Sequence, residues 1–270
     1  MPRLLACALA ALILTAAPLR AAPADDLLDS LRIDDMLQIM RDEGMDYGRD
    51  LSTDMFGRPA SARWEGVVSE IYDTDRMREI VREGVEDGLE GREIPVILDF
   101  LESDEGQRVV SLELAAREAM IDEGTEAAAR ERFHAIEGSD DPILLQVERF
   151  VEANDLVEAN VAGALNASFQ FYQGLADGGA LEITEGEILS EVWATEKETR
   201  ADTRDWLYGF MLMAYTPLEL DQLEDYVELS ATDEGRLMNR ALFVGFNTMY
   251  DSISYALGLA AAREMQGEDL

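Results

Sequence analysis

One cysteine, one histidine and one lysine in 270 residues leave this chain few of the usual tools of catalysis. The cysteine is Cys7, so the rest of the chain can form neither a disulfide nor a reactive thiolate. His134 stands alone. A zinc or copper site would have to be built almost wholly from carboxylates, which suit neither metal. The nucleophile motif Gly-x-Ser-x-Gly is missing, as are the phosphate-cradling Gly-x-x-x-x-Gly-Lys and the dinucleotide motif Gly-x-Gly-x-x-Gly. No stretch alternates apolar and polar residues between turn signals, as a half-buried strand would. Long apolar runs are also lacking beyond the amino terminus. Residues 241–262 come nearest to a membrane span, but Asn247 and Asp251 interrupt them, and a charge at mid-bilayer depth is costly. These gaps point away from an enzyme, and no cofactor or metal is expected.

Positive charge is scarce. Lys+Arg total 22 against 57 Asp+Glu, a formal net charge of −35. Nucleic acid is excluded as a partner, because binding it requires a basic patch to neutralise phosphates. Anionic lipid headgroups are repelled for the same reason. A charged partner should therefore be cationic, and most of the excess reads as a solvated acidic surface. Carboxylates are so numerous that a glycosidase-like pair cannot be picked out by spacing. Asp73-Thr74-Asp75 lacks the glycine and distal glutamate of a calcium loop and reads as a helix cap.

What is present begins with an export signal. Arg3 precedes an apolar stretch at residues 4–17, followed by Ala21, Ala22 and Ala24. That stretch has the length of a signal core and is too short to span a bilayer. Cleavage fits after Ala21, Ala22 or Ala24, and residues 1–22 are taken as the signal. Its removal also takes away Cys7, Arg3 and Arg20, leaving a formal charge of −37 on a chain long enough to bury a core without staples. Leu4-Leu5-Ala6-Cys7 imitates an acylation site but has almost no apolar run before its cysteine.

The remainder reads as helical. Pro59, Pro95, Pro142 and Pro217 all stand where a helix should begin, the place where a missing N–H costs least. Thr184 with Glu187, and Thr216 with Glu219, match the capping box. Ile33, Met36, Leu37 and Met40 follow the helical period, as do Phe246, Met249, Tyr250 and Ile253. Val109, Leu112, Glu113 and Ala116 do so with one miss, the glutamate. The expected fold is all-α, a bundle of about ten helices.

The chain also repeats itself. Val68-Ser69-Glu70-Ile71-Tyr72 returns as Leu189-Ser190-Glu191-Val192-Trp193, and Ser103-Asp104-Glu105-Gly106 returns as Thr232-Asp233-Glu234-Gly235. Two diverged copies are expected, at residues 25–138 and 139–270. Each should close on a helical hairpin: residues 95–102 then 104–121 in the first, residues 217–229 then 233–265 in the second. Ser103 and Thr232 stand where the last helix of each copy needs its N-cap. Residues 206–215 of the second copy are apolar on every face, so that helix should be central to the fold or covered by a partner.

Asp99-Phe100-x-x-Ser103-x-x-Gly106, lying between amphipathic helices and behind an export signal, resembles an uncharacterised all-helical family of exported bacterial proteins. The resemblance implies an all-α fold and a periplasmic destination, and it supplies no catalytic residues. The second copy departs from the spacing, because Tyr226 and Thr232 lie three residues further apart than Phe100 and Ser103.

Two functional expectations follow. The first is a non-catalytic binding or scaffolding module, meeting a protein partner or a second copy through Trp206, Phe210 and Met213. Aromatics and methionines make adaptable, high-area contacts. The second is a small-molecule or cation-binding protein whose pocket lies between helices of the second copy, with Asn166, Asn247, Tyr250 and Asp251 as polar contacts. Against it, the stripe Phe246, Met249, Ile253 and Leu257 could face the core and leave those polar groups in water.

Overall fold

The computed structural model describes residues 23–267. The segment read as an export signal, Cys7 included, lies outside the described residues. Within them the chain forms thirteen α-helices and no strand. The first seven are α1 (Pro23–Ser30), α2 (Ile33–Phe56), α3 (Ala62–Ile71), α4 (Thr74–Leu89), α5 (Pro95–Leu101), α6 (Asp104–Ala119) and α7 (Glu123–Ile136). There follow α8 (Pro142–Ala153), α9 (Leu156–Asp177), α10 (Glu185–Ala194), α11 (Glu196–Tyr215), α12 (Leu220–Ser230) and α13 (Asp233–Gln266). Among the described residues no helix is long and apolar enough to cross a membrane.

Local chemistry sets most of these boundaries. Ser61, Asp73, Ser103, Asp122, Asp141, Thr184 and Thr232 each accept a hydrogen bond from a first-turn N–H of the helix that follows. Pro95 and Pro142 open their helices as expected. Pro217 does not. Thr216 instead closes α11, its hydroxyl donating to the Leu212 carbonyl. The start of α12 shifts to Leu220, where the Gln222 side chain accepts from the Glu219 N–H at 3.2 Å.

The helix order of residues 23–119 is matched over residues 142–266. Arg32 and Asp155 both precede the long second helix with positive φ, 52° and 50°. Gly106 and Gly235 both sit against the carbonyl that ends the preceding helix, leaving no room for a Cβ. The two Ser-Glu strings, however, are out of register. Val68 and Tyr72 are buried against Gly48 and Gly44 of α2, whereas Leu189 and Trp193 are 58% and 67% exposed. On α10 the buried positions are Ile188 and Val192.

The spine of the molecule is α13, while the apolar helix α11 is central to the second core, where Leu207, Met211, Leu212 and Tyr215 are buried. The small residues of α13 allow close approach on two sides. Against α4, a Cβ on Gly84 would meet the Gly245 Cα at 2.5 Å, and a Cβ on Gly245 would meet the Val81 carbonyl at 2.7 Å. Against α9, Gly174 and Gly258 leave equally little room beside Tyr255 and Phe171. One apolar core joins α1 to α6 with α13 and includes Trp64, Leu37, Val81 and Met249. The other joins α6 to α9 with α11 and α12 and includes Phe133, Phe150, Leu212 and Tyr215. Each core therefore draws on both halves of the chain.

Candidate functional site

A cavity of about 1040 Å³ opens between the two cores. Its walls come from α2, α9, α11 and α13, with the junction of α6 and α7 closing one side. On α2 the lining residues Met36, Met40, Glu43, Tyr47 and Asp50 form a stripe beside the buried one, so the cavity follows about 21 Å of this helix. Phe243, Phe246, Asn247 and Tyr250 of α13 face it, together with Asn160 and Ala164 of α9.

Arg117 forms the polar centre. Its Nε donates to Glu43 Oε1 at 2.7 Å and its Nη2 to Glu43 Oε2 at 2.6 Å, a two-point pairing of guanidinium and carboxylate. The guanidinium carbon lies 4.8 Å from the centroid of the Trp206 ring, within cation–π range. Tyr250 lines the cavity with this arginine and is electrostatically coupled to it. Burial acts to lower the Arg117 pKa, but its net shift is upward, and the Glu43 carboxylate holds the guanidinium charged. Burial raises the Tyr250 phenol above its usual value even though Arg117 opposes it, so the hydroxyl stays protonated.

The charged rim is mostly acidic. Besides Glu43, the lining includes Asp46, Asp50, Glu123, Glu126 and Asp202, against Arg49 and Arg117. Arg49 is paired with Asp46 and, at 3.4 Å, with Glu65. Arg130 reaches in from α7 to bind Glu126 at 2.7 Å and Asp202 at 2.9 Å. Among the described residues, Asp50 and Glu123 have no ion-pair partner. No three His, Cys, Asp or Glu side chains among the described residues converge as a metal site would require.

The expected ligand residues divide. Asn247 and Tyr250 line the cavity, whereas Asn166 is exposed on α9 and is not part of the lining. Asp251 is also outside it: its Oδ1 is buried with no hydrogen-bond partner among the described residues, and desolvation raises its pKa. The competing reading of that stripe holds in part. Met249, Ile253 and Leu257 are buried, but Phe246 faces the cavity. Trp206, Phe210 and Met213 are half-buried and do not make one surface. Trp206 lines the cavity with Phe210 stacked on it at 5.3 Å, while Met213 faces a separate hollow of about 520 Å³ between α7 and α11. His134 is exposed, with Nε2 3.1 Å from Asp205.

Sequence reasoning missed Glu43, Tyr47 and Arg117, and with them the fact that both halves build the site. A signal was available on α2, where residues 36, 40, 43, 47 and 50 keep the helical period while changing from apolar to polar. Arg117 carried a similar one, standing one turn beyond Glu113 on the face that otherwise holds Val109 and Ala116. No family model matches this chain, and no curated protein or solved structure matches it significantly.

Proposed function

We propose that this protein is a small-molecule-binding protein, exported to the periplasm, with its ligand held in the cavity between the two cores. The observation that carries this reading is the cavity itself: about 1040 Å³ walled by aromatics and methionines around one fixed polar centre. Ligand sites are concave, largely apolar and equipped with a few well-placed polar groups. The Arg117–Glu43 pair and Tyr250 supply such groups, and Trp206, Phe243 and Phe246 supply the apolar wall. Binding through a protein partner gains less support, because Trp206 and Met213 face different hollows. We also read the two halves as diverged copies of one unit. Their shared helix order and matching caps support that reading, which would make the cavity the seam between copies.

The test is native mass spectrometry of the protein purified from the cells that make it, beside an Ala164→Trp variant. Ala164 is exposed at the cavity wall, so an indole there intrudes on the ligand space without disturbing a core. The wild type should carry a reproducible added mass that the variant lacks. A wild type that carries none, or an added mass that persists in Ala164→Trp, would remove the proposal.

A further inference from the structure

The charge pattern of the cavity goes further than its volume. We propose that its ligand is a linear aliphatic polyamine, an inference that rests on the binding role argued above.

Among the described residues that line the cavity, both arginines are already paired, so an anionic ligand finds no unpaired positive group. Arg117 is held in a two-point pair by Glu43, and Arg49 is held by Asp46 and Glu65. The carboxylates, in contrast, outnumber the arginines, and two of them, Asp50 and Glu123, are unpaired among the described residues. A cation is therefore the complementary charge.

The arrangement of the carboxylates then distinguishes one cation from another. A divalent metal needs several oxygens converging on one point, and no such cluster exists among the described residues. Here the acids come from α2, α7 and α11, along a lining that follows about 21 Å of α2, with Met36, Met40 and Phe246 among the other wall residues. Point charges separated by methylene segments suit carboxylates carried on separate helices. Ammonium groups can meet the carboxylates while the chain between them lies on methionine and aromatic surface. The ring of Tyr47, which lines the cavity, adds cation–π attraction for an ammonium within about 6 Å.

Isothermal titration calorimetry with spermidine tests this at physiological salt, where diffuse surface attraction is screened. Its partners are a linear dicarboxylate of similar length and magnesium ion. We expect one spermidine per chain and no comparable binding of either control. Asp50→Asn with Glu123→Gln should weaken binding at least about tenfold, the scale set by losing two charge contacts. Glu182→Gln with Glu228→Gln makes the same charge change at exposed positions outside the lining and should leave affinity within about twofold. All four side chains are exposed, so the variants are expected to fold, and circular dichroism checks this.

Equal weakening by both pairs would mean diffuse attraction to an acidic protein and would overturn the inference. So would binding of the dicarboxylate or magnesium ion in place of spermidine. A native added mass that disappears in Ala164→Trp, with no spermidine binding, would leave the cavity as a ligand site and remove the polyamine alone.

Discussion

Glu113 stands where the register of α6 calls for an apolar side chain, and its surroundings explain how a carboxyl is tolerated there. Its Oε1 accepts from Tyr215 at 2.7 Å and from Tyr226 at 3.3 Å, inside the second core. Burial raises its pKa more than the two tyrosine hydroxyls lower it. The folded protein therefore binds this proton more tightly than the unfolded chain does. Stability must fall as pH rises from the ordinary carboxylate range toward the raised value. Glutamine cannot ionise, and its carbonyl can keep both hydrogen bonds. Glu113→Gln should thus melt above wild type at about pH 8 and converge with it at about pH 4. A difference in melting temperature that does not change with pH would contradict this. The position was visible in the sequence as the single break in an apolar stripe, but its tyrosine partners were not. They come from α11 and α12, about a hundred residues away, and nothing local encodes that meeting.

At the scale of the helix, what the sequence revealed and what it concealed have different physical causes. Caps act through atoms a few residues apart, so Ser103, Thr184 and Thr232 could be read in advance. The choice of spine could not. Hydropathy favours residues 206–215, rich in large apolar side chains. Burial along α13 depends instead on Gly245, Gly258 and residues 260–262, whose small size lets neighbouring backbones approach. Trp193 teaches the same lesson. It matches Tyr72 in the repeated string, yet it is exposed because α10 buries Ile188 and Val192 instead. Gly84→Val tests the close approach of α4 to α13. The new side chain would press on the Gly245 backbone, and we expect a loss of about 1–3 kcal/mol or more in urea denaturation. Gly66→Ala in α3 meets nothing within 4 Å and should instead stabilise by about 0.5–1 kcal/mol. Equal effects of the two substitutions would show that α4 and α13 do not pack as described.

Across the whole molecule, the site exists because the halves are interleaved. α6 sends Val110 and Leu114 into one core and Val109 and Ala116 into the other, while Arg117 on the same helix points between them. α2 faces α13 across the cavity, so one wall comes from each half. The all-helical class was legible from periodicity and caps, and so were Asn247 and Tyr250 as polar groups amid apolar neighbours. The pairing of Glu43 with Arg117 was not, because it spans 74 residues and depends on how the halves interlock. The central claim is that this space holds a ligand. A crystal structure of the protein as isolated from its own cells tests it most directly. The account predicts continuous, elongated density along α2 between Met40 and Asp50, in contact with Trp206. Density for ordered water alone, or a cavity closed by Trp206 packing onto α2, would contradict it.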